Sequence, residues 1–283
     1  MTEFLQSRRA RITPEQAGLV DGGGRRRVEG LRREELAHLA GMSVDYYVRL
    51  EQGRTPNVSD AVLDAVATAL RLGRDERAHM FLLARPHLLD PVPVELGVRQ
   101  GVRQLLDWIA APALVVGHRL DVLAWNPLAA ALFGDFGQWR PVQRNLARLH
   151  LLAAAGGGRF PDRAVTVREL VAHLRTMAGR YPDDVHLSEL VDELRTHSVE
   201  FRREWDLHPV RTKSHGTLCF VHPELDCITL FYEIARLPQD SEQMLIVFTG
   251  APGSEGESAL RRLSGAVTSD LERGPVVAAS PRS

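Results

Sequence analysis

A chain of 283 residues, 44% of them apolar and with a formal net charge of −1, is long enough to bury two cores. It is too near neutrality for charge alone to name a nucleic-acid partner. It has no apolar run of about 18 residues, which excludes a membrane-spanning helix. Its start lacks the apolar stretch of a signal peptide. Its only cysteines, Cys219 and Cys227, make no disulfide framework, so the cytoplasm is the expected compartment.

Residues 1–85 are predicted to be all helical. A first helix covers Glu3 to Ile12. The segment TPEQAGLVDGGGRRRVEG (13–30) follows. Its three successive glycines cannot hold a helix, so it is an inserted loop or arm. Between residues 8 and 33 there are eight arginines against three acids, a local net of +5. Such an excess suits phosphate, and Arg25, Arg26 and Arg27 are its centre. Further helices are expected at 32–40, 43–51, 59–71 and 75–84, with Ser43, Ser59 and Asp75 as N-caps. Prolines at 86, 91 and 93 mark a linker over 86–93.

The stretch 94–271 is expected to mix helices and strands. ALVVGHRLDVLAWN (113–126) reads as a hairpin. Asn126 and Pro127 open a helix to Phe133, and another covers 141–152. Thr166 and Glu169 form the capping box of a helix striped by Leu170, Val171, Leu174, Met177 and Tyr181. A single helix from Leu187 to Trp205 follows. Three strands, near 215–222, 226–236 and 242–249, close the domain. The even apolarity of MLIVF makes the last of them central. A disordered tail is expected over 272–283.

Within LRREELAHLAGMSVDYYVRLEQGR (31–54), Leu36, Ala37 and Ala40 share one face of the first helix. Gly41 permits a sharp turn, Met42 plugs it and Ser43 caps the second helix. On that second helix Tyr47 and Leu50 face inward. Val44, Asp45, Tyr46, Val48 and Arg49 face outward, an arrangement suited to the major groove. The stretch is similar to the XRE-type helix-turn-helix of lambda-repressor-like regulators. That resemblance places Val44, Asp45 and Arg49 at base-reading positions. It places Ser43, Arg54 and Asn57 at phosphate-facing positions, and Arg33 where many members carry glutamine. Tyr46 fits a phosphate better than a base. Asp45 has two readings, as acceptor from cytosine N4 or as an intrahelical partner of Arg49. Glu51 fits a structural ion pair.

The second half resembles the ligand-binding domain of MmyB-like transcription regulators, through LVVGHRLDVLAWNPLAAALFG (114–134), RNLARLHLL (144–152), HGTLCFVHPELDCITLFYE (215–233) and MLIVFTGAPGS (244–254). The resemblance implies a PAS-like α+β domain with a small antiparallel sheet and a fatty-acid-like effector. Trp125, Asn126, Arg144 and Asn145 are the candidate ligand residues; two have structural alternatives, core packing for Trp125 and helix capping for Asn126. No other cofactor is expected. His215, Cys219, His222 and Cys227 raise zinc. A turn over 223–226 pairs His222 with Cys227, which puts Cys219 on the opposite face and argues against one shared metal. No nucleophile elbow, zinc-protease motif or phosphate loop occurs, so no enzyme is expected.

The whole reads as a bacterial regulator with an all-α head and an α+β sensor. Its partners are double-stranded DNA, as a palindromic operator bound by a homodimer, and a small apolar ligand, with no membrane. Two rivals remain open at this point. One is a C-terminal domain serving only dimerisation or protein partners, the other an enzyme fused to a DNA-binding head.

Overall fold

The computed structural model describes residues 1–19, 30–55, 57–85, 97–152, 161, 163–209, 214–237 and 242–273. Arg25, Arg26 and Arg27, the 86–93 connection and residues 274–283 lie outside the described residues. The chain forms two compact units. One comprises Met1–Val92, Val171–Arg195 and Val199–Thr212, the other Pro93–Leu170, Thr196–Ser198 and Lys213–Ser283.

In the first unit, α1 (Thr2–Arg11), α2 (Arg33–Leu39), α3 (Val44–Glu51), α4 (Asp60–Ala69) and α5 (Arg74–Ala84) surround one core. Leu5, Leu31, Leu36, Tyr47, Leu50, Leu63 and Met80 are buried in it. The apolar spacing explains the helices and polar caps explain their starts. Ser43 and Ser59 each accept a backbone N–H three residues on. Asp75 is not a cap. Gly73 holds that position, and Glu76 accepts from its N–H. Gly41 adopts φ +66°, as the turn requires. Gly30 lies so close to α1 that an added Cβ would stand 2.5 Å from the Arg9 carbonyl oxygen.

The first unit also takes the latter part of α9 (Arg163–Arg180), with α10 (Val185–His197) and α11 (Val199–Asp206). Two expectations are corrected here. The helix begins at Arg163, so Thr166 lies inside it rather than at its N-cap position. The expected continuous helix from 187 to 205 breaks at Ser198 into two.

The carbonyls at and just past the C-terminus of α11 collect three guanidinium groups. Arg8 donates to His208 O (2.5 Å), Arg11 to Leu207 O and Arg175 to Trp205 O. The negative end of a helix dipole favours cations there. Arg8 is 2% exposed and also pairs with Glu76 at 2.8 Å.

Two histidines sit among these cations. Burial, reinforced by Arg175, pushes His79 down to about 3 and His208 down to about 4. Both are neutral in the fold at neutral pH. An unfolded histidine takes up a proton near pH 6.5, which these two refuse. Stability is therefore full above about pH 6.5 and is lost as pH falls toward 4. The slope is about 1.4 kcal/mol per pH unit for buried His79 and smaller for His208, which solvent screens. Urea midpoints at pH 7 and pH 5 check this. His79→Phe should shrink the difference between them, and an unchanged difference would refute the assignment.

The second unit is built on a five-stranded antiparallel sheet in the order β2-β1-β5-β4-β3. Its strands are β1 (Ala113–Val116), β2 (Val122–Trp125), β3 (His215–His222), β4 (Asp226–Leu237) and β5 (Gln243–Thr249). The MLIVF strand is central, as its apolarity requires. Strand alternation gives the sheet two apolar faces. On one, Ala113, Val115, Ala124 and Leu245 pack with Val98, Val102 and Leu106 of α6 (Gln100–Trp108). On the other, Phe133 of α7 (Pro127–Phe133) meets Phe220 and Phe248 edge-on, with ring centroids 5.5 and 4.9 Å apart.

The helix expected over 141–152 resolves into a 3₁₀ turn at Pro141–Gln143 and α8 (Leu146–Leu151). α6 and α12 (Glu255–Arg273) were not anticipated, and α12 makes residues 272–273 helical rather than part of a tail.

Candidate nucleic-acid interface and ligand-binding domain

The turn between α2 and α3 closes through Met42 N–H donating to Ala37 O at 3.0 Å. It delivers α3 with Tyr47 and Leu50 buried and the other side open. Val44 is 42% exposed, and Asp45 and Arg49 are exposed. Tyr46 and Val48 are half-buried, while Ser43, Arg54 and Asn57 are exposed nearby. Asn57 takes φ +54°, which asparagine tolerates. Arg49 Nε donates to the Asp45 backbone carbonyl at 3.4 Å. Among the described residues no ion pair reaches the Asp45 carboxylate, so the intrahelical reading of Asp45 gains no support.

Glu51 explains how the recognition helix is held. Its carboxylate is fully buried and accepts from Arg9 Nε (3.0 Å), Arg33 Nε (2.5 Å) and Tyr47 Oη (3.2 Å). Burial, with Glu51 beside it, raises the Tyr47 hydroxyl above its ordinary range and keeps it a donor. Arg33 is thus anchored by one edge while 43% of its side chain stays exposed.

The four candidate ligand residues divide. Asn126 is 2% exposed. Its Oδ1 accepts from Ala113 N–H (3.1 Å) and Ala129 N–H (2.9 Å), and its Nδ2 donates to Ile109 O (3.1 Å) and Ala111 O (2.7 Å). Asn145 is similarly committed. Its Oδ1 accepts from Ala147 and Arg148 N–H, and its Nδ2 donates to Arg119 O and Asp121 Oδ1. Both asparagines spend their hydrogen-bonding capacity inside the protein. They are struts that tie loops to helix starts.

Trp125 and Arg144 form a pair, with the guanidinium carbon 5.5 Å from the ring centroid. Arg144 also donates to Trp139 O and Gly137 O. Trp125 further packs on Phe136, centroids 5.4 Å apart. Both side chains are half-buried, so they keep contact with solvent.

The β3–β4 register also differs from the expected one. Val221 pairs with Cys227, Cys219 with Thr229 and His222 with Asp226. The register is one residue off the expected one, which reverses faces. Cys219 and Cys227 therefore share a face. His222 is on the other, where its Nε2 lies 3.2 Å from Ala131 O. Among the described residues no group of three metal-binding side chains occurs.

Residues 98–263 match the MmyB-like transcription regulator ligand binding domain. The chain belongs to the MmyB-like transcription regulators. Residues 3–80 match a helix-turn-helix domain, the region built from α1 to α5. No curated protein matches the chain. This MmyB-like regulator therefore joins a DNA-binding head to a ligand-binding domain, and neither matched family is an enzyme family. Among the described residues no helix is long and apolar enough to cross a membrane. The ligand-binding match includes the latter part of α9 and most of α10 with α11, which belong to the same compact unit as the head. That return of the chain was missed from sequence, because the arginine contacts that mark it join residues about 200 positions apart.

Proposed function

We propose that this MmyB-like regulator is a cytoplasmic, non-enzymatic homodimer that binds a palindromic operator through α3 and responds to a small apolar, fatty-acid-like ligand. The observation that carries the reading is the open face of α3, rooted by Glu51, in the same chain as a matched ligand-binding domain. Val44 suits a thymine methyl, Asp45 a cytosine N4 amine, and Arg49 and Arg33 a guanine or phosphate. Ser43, Tyr46, Arg54 and Asn57 take the backbone, joined by the Arg25–Arg27 arm.

In the sensor, the aromatic face of the sheet suits an acyl chain and the Arg144 guanidinium a carboxylate. Ligand binding shifts the placement of the two heads.

Organic extraction of the purified chain followed by mass spectrometry tests this reading. An acyl carboxylic acid should be recovered, and stripping it should change DNA affinity by about 5- to 150-fold, the usual range of allosteric coupling. Absence of any apolar molecule, or identical affinity after stripping, would instead favour a domain used only for dimerisation or protein partners.

A further inference from the structure

The β3–β4 hairpin carries chemistry that DNA and ligand binding do not use. Cys219 and Cys227 are the chain's only cysteines. The register Cys219↔Thr229 and Val221↔Cys227 sets them diagonally on one face of the hairpin. Their Sγ atoms lie 2.9 Å apart and are not joined in a disulfide. This is the face away from the aromatic core. Leu218, Phe220, Ile228 and Leu230 are buried on the core side, whereas Cys219 is half-buried and Cys227 exposed. Cysteine is ordinarily among the most buried residue types, and core packing explains neither position. Among the described residues β3 is also an edge strand, paired with β4 alone, so the hairpin can adjust locally when a bond forms.

We propose that Cys219 and Cys227 are a site of reversible oxidation by hydroperoxides. One thiolate attacks the peroxide O–O bond, taking up one oxygen as a sulfenic acid and releasing the other as water or an alcohol. The second thiol attacks the sulfenic sulfur, an S–S bond forms, and the hydroxyl leaves as water. Two electrons pass from the two sulfurs to one peroxide. A dithiol reverses the step by exchange through a mixed disulfide.

The proximity of the two sulfurs decides the outcome. A lone exposed thiol advances up the oxidation ladder, whereas a paired one is captured at the sulfenic stage.

The test uses the full chain and hydrogen peroxide, with thiol alkylation and intact mass as readouts. Peroxide should take the wild type from two alkylatable thiols to none, with a loss of about 2 Da and a peptide crosslinked between Cys219 and Cys227. Dithiothreitol should restore both thiols. Cys219→Ser and Cys227→Ser, confirmed as folded by their melting curves, should each accumulate a sulfenic acid that dimedone traps. Independent sulfinic acids on the wild type, or only intermolecular crosslinks, would overturn the proposal. So would thiols that outlast cysteine in an unstructured peptide under the same peroxide.

Discussion

Replacing Glu51 with alanine is expected to cost the head about 3–5 kcal/mol of stability, the range for breaking a buried ion pair by removing one partner. The carboxylate is fully buried and serves Arg9, Arg33 and Tyr47 together. Without it, the Tyr47 hydroxyl is left buried with its acceptor gone. Arg9, whose side chain is 15% exposed, loses its counter-charge. Arg33, at 43%, returns to water at little cost. Glu51→Gln keeps the volume and an acceptor but not the charge, and should fall between the two. Tyr47→Phe removes one hydrogen bond and should cost about 1 kcal/mol. Urea unfolding followed by helical circular dichroism measures all three. A loss below about 1 kcal/mol for Glu51→Ala would mean the desolvation of Glu51 cancels its three contacts.

Asn126→Ala is expected to cost about 2–4 kcal/mol in the second unit. The substitution removes the cap of α7, worth about 1 kcal/mol. It also strands buried backbone groups, each costing about 1–3 kcal/mol if no water replaces the lost partner. Ala113 is fully buried, so its N–H has no ready substitute. The experiment separates a strut from a ligand contact. A strut variant loses unfolding midpoint and retains the wild-type ligand preference while folded. A ligand contact would show the reverse, with an unchanged midpoint and altered ligand recovery. Arg144→Ala is the natural comparison, since Arg144 is half-buried and stacked on Trp125.

The head was legible because its signals are local. Leu36, Ala37, Gly41, Ser43, Tyr47 and Leu50 fall within one short stretch, and each has a single physical role there. The sensor's strands were legible from alternation and apolar runs. Other features were not. α12 carries Gly256 and Gly265, which weaken a helical reading; packing against the sheet overrides that cost, with Gly256 so close that a Cβ would stand 2.4 Å from Thr229 O.

The β3–β4 register turned on whether residue 226 belonged to the turn or to the ladder, and one position reversed every face. At the candidate ligand site, an asparagine beside apolar residues has the same sequence signature whether it greets a ligand or braces a loop. Only the hydrogen bonds of Asn126 distinguish the cases.

Selection from a pool of random DNA duplexes by the full chain, wild type beside Asp45→Ala, addresses the central claim most directly. The wild type should enrich one motif with two-fold-related half-sites. Asp45→Ala should retain that motif and lose discrimination at one base pair in each half-site, by about 1–3 kcal/mol, or roughly 5- to 150-fold. Enrichment of no motif by the folded wild type would contradict the account.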